Sequence, residues 1–264
     1  MILLFISIFS FSVFSQDRNI YTVFLNVVNE DFNLPLVGFV NIGRGNQNNL
    51  QAGFVNSSLG NLNGVQIGFA NIVAHDTRGA QIGFANTARR LNGLQFGFVN
   101  VVDEVESGVP IGFLSIVRQG GFRAIELSVS EFHLANVGFK IGVERFYTTI
   151  SLAYNPFGNS TSERFATGLG IGTIIPINDS FFFNPEMTGL TSWGRDHKQL
   201  TSFVPYFGYN LNERFSITAA PSVTWSSSSR NGDLLEPMVS IANFDIDNRN
   251  EIVIGARVAI RYRF

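Results

Sequence analysis

The sequence lacks cysteine, has little charge and has no long apolar run beyond its start, and each absence excludes something. The 264 residues include no Cys, which excludes disulfides, thiolate chemistry, cysteine-based metal sites and a lipoprotein anchor. Charged residues make up only 14%, and the net charge of −2 gives no electrostatic footprint for nucleic acid. Beyond residue 16 no run reaches the ~20 apolar residues that a transmembrane helix needs, so a helical span is excluded.

The first fifteen residues, MILLFISIFSFSVFS, are predominantly apolar and are followed at once by polar residues. Small residues Val13 and Ser15 stand at the positions that favour cleavage before Gln16. We therefore predict that residues 1–15 are a secretory signal peptide, although its start carries no Lys or Arg. The alternative is a buried apolar strand or helix.

A phrase of the form Gly-x-Gln-apolar-Gly-Phe-small-Asn recurs along the first half of the chain. Its second glycine falls at Gly38, Gly53, Gly68, Gly83, Gly97 and Gly112. Pairs such as Asn63-Gly64 and Asn92-Gly93 lie between the phrases and are typical of tight turns. Each unit therefore combines about ten extended residues with about five turn residues.

Within a unit the residues alternate between two faces, as in a strand. Val65, Ile67 and Phe69 point one way and Gln66 points the other, while Asn71 falls near the end of the apolar face. Two architectures fit such a repeat. A β-solenoid would stack the units in parallel around a Phe core with an Asn ladder at a corner. A meander would pair neighbouring units antiparallel.

The second half of the chain favours the meander, closed into a membrane barrel. From Ile252 to Phe264 one face is wholly apolar or aromatic, whereas the other carries Arg257, Arg261 and Arg263. A terminal aromatic on a long alternating strand is similar to the assembly signal of outer-membrane β-barrels, so Ile260, Tyr262 and Phe264 are the predicted signal. Sheet edges cannot exist in lipid, so the strands must close.

This reasoning predicts an all-β fold, a closed antiparallel transmembrane β-barrel of about fourteen strands. The alternatives are sixteen strands, adding 20–28 and 236–244, or an N-terminal β-solenoid with a smaller barrel. Residues 16–264 would form one domain, with repeat strands in 35–118 and non-repeat strands in 119–264. The predicted strands are 36–44, 49–58, 64–74, 79–89, 93–102, 108–118, 122–131, 134–144, 146–155, 164–175, 181–192, 200–210, 214–228 and 250–264.

The barrel interpretation assigns faces and sides. The Phe residues of the repeat would face lipid, the Asn residues would lie near a membrane interface, and both termini would be periplasmic. Short connectors would lie inside and longer ones, such as 229–249, outside. We predict that the lumen is positively charged near the periplasmic end of the last strand and that acidic residues can pair with these charges. The predicted lumen-facing residues are Glu126, Lys140, Glu144, Glu186, Arg257, Arg261 and Arg263.

The repeat phrases resemble those of an uncharacterised surface-repeat family of outer-membrane proteins, over roughly residues 35–264. The first and last units depart from the motif, with Leu36 in place of Gln, and with Pro110 and Ser115 in place of Gln and Asn. The resemblance implies a β-barrel in the outer membrane of a Gram-negative bacterium and implies no activity or functional residue.

Three functions are compatible with these patterns. A passive, porin-like pore comes first, because a lumen of Gln, Gly, Ala and Ser suits a water-filled channel. A surface-exposed interaction or structural barrel without an open pore is the alternative, and an enzyme comes third, so we predict no enzyme. The expected partners are the outer-membrane lipid bilayer and the barrel-assembly machinery, with no nucleic acid, while the solute or surface ligand stays open.

Candidate catalytic and ligand-binding groups are sparse. His75-Asp76 and Asp196-His197 fall in predicted outer turns, where paired Asp and His could act in hydrolysis but are more simply turn residues. His133 fits a hairpin, and Gly168–Gly172 lacks the strand–turn–helix context of a phosphate loop. Residues 245–250 lack the glycine of a calcium loop. We therefore predict no metal, cofactor or catalytic residue.

Overall fold

The computed structural model describes residues 19–193, 198–228 and 234–264. These residues form an all-β structure of two sheets with one short helix, α1 (Thr161–Arg164), so the all-β part of the predicted fold class is confirmed. The predicted signal peptide, residues 1–15, lies outside the described residues.

The first sheet, here called the repeat half, is built from short strands early in the chain and longer strands later. Its strands are β1 (Ile20–Tyr21), β2 (Leu25–Val28), β3 (Leu36–Val37), β4 (Val40–Gly43), β5 (Leu50–Ala52), β6 (Val55–Ser58), β7 (Val65–Thr77), β8 (Ala80–Leu91), β9 (Leu94–Val105) and β10 (Val109–Gln119).

Successive units of the repeat half pair in parallel and in register, so the prediction that they pair antiparallel is wrong. Gln66 lies opposite Gln81, and Asn71 lies opposite Asn86. Only β1 and β2, before the repeat, run antiparallel to each other. The Asn-Gly pairs taken for hairpin reversals are corners at which the chain turns and rises to the next unit. The repeat half is therefore solenoid-like.

Each unit contributes three separate strips of pairing to the stack. In the third unit the strips are 65–67, 70–73 and a bridge from Thr77 to Leu62. Gly68, at the bend between the first two strips, lies against the preceding unit. A Cβ there would approach Asn56 Nδ2 to 2.7 Å and the carbonyl oxygen of Gly53 more closely still. The recurring glycine is required because a side chain would separate the units.

The amide side chains form two continuous ladders inside the repeat half. Asn71 donates to Asn86 Oδ1 at 2.8 Å and accepts from Asn56 at 2.9 Å, and all three side chains are fully buried. Gln81 donates in the same way to Gln66 Oε1 at 2.9 Å. Parallel stacking at one register aligns every donor with an identical acceptor, which explains why the amides recur at a fixed spacing.

The phenylalanines lie on the outside of the amide stack. Neither the antiparallel meander nor the solenoid with a Phe core is therefore correct in every detail. Phe69 is 48% exposed and its ring stacks on that of Phe54 at 4.9 Å between centroids. The bend at Gly68 shifts the alternation, so Asn71 joins Gln66 inside instead of lying at the end of the apolar face. The predicted interfacial Asn and the alternative Phe core are both wrong.

The second sheet contains the remaining strands. They are β11 (Phe122–Val129), β12 (Ala135–Val143), β13 (Phe146–Tyr154), β14 (Phe165–Gly172), β15 (Ile175–Pro176), β16 (Phe181–Ser192), β17 (Lys198–Asn210), β18 (Phe215–Ser228), β19 (Ala242–Asp247) and β20 (Asn250–Arg263).

Eight of these strands close into an antiparallel barrel in the order β11–β12–β13–β14–β16–β17–β18–β20. Closure comes from β11 and β20, where Leu127 lies opposite Ile260. The prediction of about fourteen strands in one barrel counted six strands of the repeat together with these eight. The alternative of an N-terminal solenoid and a smaller barrel matches this arrangement. The additional strands of the sixteen-strand alternative do not join the barrel, since β19 only flanks β20.

The barrel has two unlike ends. The terminal end holds the entry from the repeat half at 119–121, Phe264, and the connectors 144–145, 173–180 and 211–214. The opposite end, here called the loop end, holds the connector segments that the structure describes there, 130–134, 155–164 and 234–249. Longer connectors therefore gather at the end away from the termini, as the sequence predicted.

The last repeat unit packs against the outside of β12 and β13, close to the terminal end. Val143 belongs to one buried cluster with Val102 and Val117, so the barrel wall closes the apolar interior of the repeat half at this end. Thr148 Oγ1 donates to Gly112 O at 2.7 Å across the same junction. The two halves are therefore joined by packing and by hydrogen bonds as well as by the chain.

Candidate functional site

The outer wall of the barrel is apolar along most of its height. In β18 the outward residues Ile217 and Val223 are each more than 40% exposed, and Val258 in β20 is 59% exposed. Between Phe215 and Trp225 in β18, no outward-facing residue is charged. A water-facing sheet normally shows polar side chains on its open face, so this wall has the opposite polarity.

Aromatic side chains surround the barrel near each end of this apolar wall. Near the terminal end, Phe181 packs on Tyr209, and Phe215 packs on Tyr262, with centroid distances of 5.0 Å in both pairs. Near the loop end, Phe165 packs between Tyr154 and Trp193, and Trp225 is more than half exposed. We call these groups the terminal-end girdle and the loop-end girdle.

The interior of the barrel contains a charged cluster nearer the terminal end. Glu126 of β11 accepts from Arg261 Nε at 2.9 Å and Nη2 at 2.7 Å, and lies 3.2 Å from Lys140 Nζ. Lys140 also pairs with Glu186 of β16. These four buried side chains carry two charges of each sign, so the net positive lumen that we predicted at this end is balanced by carboxylates.

Neutral polar groups complete the hydrogen bonding of this terminal-end cluster. Tyr147 OH donates to Glu186 Oε2 at 2.8 Å and accepts from Asn184 Nδ2 at 2.6 Å. Asn184 Oδ1 in turn accepts from Arg261 Nη2 at 2.6 Å. Burial of charge is favourable only when partners of this kind are present, which accounts for the dense network.

A second cluster lies further toward the loop end. Glu131 accepts from Arg257 Nε at 3.1 Å and Nη2 at 3.0 Å, and from Ser222 Oγ at 2.9 Å. Thr224 donates to the same carboxylate, and Arg257 donates to Ser202 Oγ at 2.6 Å. Together the two clusters fill the barrel with three carboxylates and three cations.

The structure places the predicted lumen-facing residues in two settings. Glu126, Lys140, Glu186, Arg257 and Arg261 are buried inside the barrel. The remaining two, Glu144 and Arg263, pair with each other at the terminal-end rim, where both side chains are about 40% exposed.

The predicted assembly residues of the last strand lie on the outer wall at the terminal end. Ile260 is 44% exposed and Phe264 is 57% exposed. Tyr262 lies between them, and its ring is 6.2 Å from that of Phe264. The three side chains therefore form an outward row that ends in the terminal-end girdle.

Sequence reasoning missed Glu131, Tyr147 and Asn184. Strand alternation carried through residue 131 would point Glu131 outward, but β11 ends at Val129 and the following turn directs the carboxylate inward. Tyr147 lies two residues before Thr149 on β13, so strand alternation points both side chains into the barrel. That alternation was the signal that could have identified Tyr147 as an interior residue.

The other candidate groups show no assembled reactive site. Asp76 pairs with Arg90 at 3.3 Å on the surface of the repeat half, and Gly168–Gly172 lies within β14. Asp247 accepts from Asn250 in a surface turn, His133 is buried in the 130–134 connector, and Asp196-His197 lies outside the described residues. Within 19–193, 198–228 and 234–264, no group of three acidic or histidine side chains could hold a metal ion.

The loop end presents the polar connector 155–164 beside an apolar cavity. Glu163 accepts from the backbone amide of Asn159 at 2.8 Å, a bond that holds the pKa of Glu163 below its usual value. An open cavity of about 640 Å³ lies between the 130–134 connector and the segment before β19, and its lining includes Leu134, Phe157 and Val239. This end could bind a partner or ligand.

Comparisons with protein-family models and with curated proteins give no match to this chain. Among the residues that the structure describes, no helix is long and apolar enough to cross a membrane.

Proposed function

We propose that the chain is an integral outer-membrane β-barrel without an open pore, which anchors the repeat half at the membrane and presents the loop-end connectors on the cell surface. The observation that carries this proposal is the reversed polarity of the barrel, apolar outside and ion-paired inside. In water such a wall would leave a large apolar surface unburied, whereas in lipid it is matched to its surroundings.

The dimensions of the wall support a membrane setting. Phe215 and Trp225 stand ten residues apart on β18, one in each girdle. At ~3.3 Å per residue and a tilt of roughly 40°, that separation covers about 25 Å along the barrel axis. Outer-membrane barrels have an apolar band of about this height between aromatic girdles.

The filled interior supports a barrel without a pore over the porin-like channel. Eight strands enclose a space just wide enough for side chains. Here Lys140, Tyr147, Asn184 and Thr224 occupy that space and are almost wholly buried. Replacing paired charges by water and ions would require several buried ion pairs to separate together, which is costly.

The proposal also sets the orientation and the partners. Outer-membrane barrels place short turns and both termini in the periplasm and longer loops outside, which assigns the terminal end to the periplasm. The outward row Ile260, Tyr262 and Phe264 would be read by the barrel-assembly machinery, after secretion and removal of residues 1–15. The loop-end connectors would then meet surface ligands.

Two measurements on the refolded protein test this function. A folded barrel migrates differently on a gel before and after boiling, which establishes that the sample is closed. The same sample added to planar lipid bilayers should give no conductance above that of the bare membrane. Stepwise channels from heat-modifiable protein, with ion selectivity altered in an R257S/R261S/R263S variant, would contradict the proposal and favour the porin-like alternative.

A further inference from the structure

The outer surface of the repeat half is divided into an apolar part and a polar part. The stacked column Phe39, Phe54, Phe69, Phe84 and Phe98 is 46–56% exposed, with centroid spacings of 4.9–5.1 Å. About half of each ring is therefore exposed. With ~200 Å² of surface per Phe side chain, the five rings together expose roughly 500 Å². Monomeric soluble proteins rarely expose more than a few hundred Å² in one patch.

Neighbouring positions extend this patch on one side only. Ile67, Ile82 and Phe96, two residues before the Phe column, are 39–55% exposed. The third strip of the later units carries the charges instead, including the pairing of Arg90 with Asp76 next to exposed His75. The stack therefore has one apolar flank and one polar flank along its whole length.

Three contacts between the last unit and the barrel fix the orientation of these flanks. Gly112 O accepts from Thr148 on β13, and Val117 O accepts from Arg123 on β11 at 2.5 Å. Ser107 O accepts from Arg145 in the terminal-end turn at 2.9 Å. The strip between Gly112 and Val117 therefore runs across the wall, and the corner at Ser107 lies closer to the terminal end.

The register of the barrel shows at what height this strip lies. Ile141 pairs with both Arg123 and Thr148, so the two contact points lie on one row of paired residues across three adjacent strands, close in height although the strands are tilted. Phe264 N donates to Arg123 O, which puts this row beside Phe264, whose ring is next to that of Tyr262 in the terminal-end girdle. Phe113 follows Gly112 and stacks on Phe98 at 4.8 Å, so it continues the Phe column as a sixth ring, and the column starts close to the girdle.

We propose that the repeat half lies along the periplasmic surface of the outer membrane, with its Phe column and the adjoining apolar strip inserted at the boundary between headgroups and acyl chains. This inference rests on the proposed function, since it needs the girdle to mark a lipid interface. The occupant of the apolar flank is the phospholipid bilayer, because that flank continues the level of the girdle while the charged strip faces the periplasm.

The proposal explains the reversed packing of the repeat half. Stacked amides satisfy one another inside, so no large apolar core is needed, and the aromatic residues are free to face lipid. Aromatic rings favour the membrane–water interface, where an apolar face and a polar environment meet. A column of about 24 Å, for six rings at ~4.8 Å, would anchor the solenoid parallel to the membrane plane.

Spin labels test this arrangement directly because the chain has no native cysteine. Single-cysteine variants F69C and H75C place a nitroxide on the apolar and polar flanks of one unit, and V223C places one on the barrel wall. In phosphatidylcholine vesicles, oxygen measures access from lipid and a nickel chelate measures access from water. The oxygen-to-nickel collision ratio should be highest at 223, intermediate at 69 and lowest at 75.

Each other outcome overturns a defined part of the account. Water-like ratios at 69 and 75 with a lipid-like ratio at 223 would reject the membrane-lying repeat half and leave the proposed function standing. A water-like ratio at 223 would reject both. A label at 69 shielded from both reagents, or broadened by a second label, would show that protein or another copy covers the column. I67C provides a second label on the apolar flank if F69C does not fold.

Discussion

At the scale of single residues, the barrel depends on buried charges that each have a partner. Arg257 and Glu131 are almost fully buried and bind through two nitrogens, whereas Arg263 and Glu144 pair through one nitrogen at the half-exposed rim. Burial strengthens an ion pair and raises the cost of leaving one member alone. Two chemically similar pairs should therefore respond very differently to loss of one partner.

Replacing Arg257 by Met should destabilise the barrel strongly. The change leaves the Glu131 carboxylate buried without its cation, and removal of one partner from a buried pair costs about 3–5 kcal/mol. The measurement is urea-induced unfolding in detergent micelles, followed by loss of heat-modifiable mobility.

The rim pair provides the matched control. R263M should lower the free energy of unfolding by no more than about 1 kcal/mol, as for exposed ion pairs. The double variant E131L/R257M should recover much of the stability lost in R257M, because it removes the stranded carboxylate. Equal losses for R257M and R263M would show that the interior pair has no special role.

At the scale of structural elements, the positions of the eight barrel strands could be predicted from the sequence. The pairing direction and the inner face of the repeat units could not. Alternation over 214–228 and 250–264 identifies strands whose two faces differ, and β18 and β20 lie there. The repeat unit bends at Gly68, so a period of two counted through the bend puts Asn71 on the wrong side. Asn-Gly turns also serve solenoid corners and hairpins equally well, so direction was not determined.

The candidate site, too, could be predicted only in part from the sequence. Arg257 and Arg261 were assigned to the interior because a charge on the lipid face is costly, and they lie there. Glu131 depends on where β11 ends and how the connector turns, which alternation does not encode. Pairings such as Lys140 with Glu186, 46 residues apart, depend on barrel closure and follow only from the fold.

Replacing Asn71 by Ala should weaken the repeat half locally. The side chain donates to Asn86 Oδ1 and to Ile82 O at 3.0 Å, so its removal leaves buried groups of the neighbouring units unpaired. Each such group costs about 1–3 kcal/mol. Hydrogen exchange should accelerate at the amides of units 50–90 and remain unchanged in the barrel strands.

An amide ladder on the surface supplies the control for this variant. Asn63 donates to Asn48 Oδ1 at 2.6 Å, but both side chains are exposed. N63A should leave exchange rates nearly unchanged, because water replaces the lost partner. Faster exchange throughout the barrel in N71A would mean that the two halves unfold together and that the ladder is not a local element.

The last strand should matter more for assembly than for final stability. Phe264 is more than half exposed and contacts the rings of Tyr262 and Phe139 only at 6.2 and 6.4 Å. Truncation to Ala should therefore cost at most about 1–3 kcal/mol. F264A should reduce the amount of protein inserted in vivo, while refolded protein melts close to wild type. Normal insertion with a large fall in melting temperature would make Phe264 an ordinary packing residue.

At the scale of the whole molecule, both halves place polar groups inside and apolar side chains outside. The barrel places ion pairs inside and aliphatic side chains outside, and the repeat half places amide ladders inside and a Phe column outside. The junction at Thr148 and Gly112 brings the two apolar surfaces to one level. Under the two proposals, both halves belong to one membrane-associated body, with polar surfaces at the loop end and on the flank of the repeat assigned to the periplasm.

Fluorescence quenching by brominated phospholipids tests the central claim, that the barrel wall faces lipid, most directly. The chain has two tryptophans, Trp193 and Trp225, so V258W in a W193F/W225F background reports from the middle of the wall, where Val258 is 59% exposed. We expect the strongest quenching of this variant from lipids brominated deep in the acyl chain, whereas Trp225 alone should respond most to bromines near the headgroup. Fluorescence of the V258W variant that is insensitive to brominated lipid but strongly quenched by aqueous acrylamide would contradict the account.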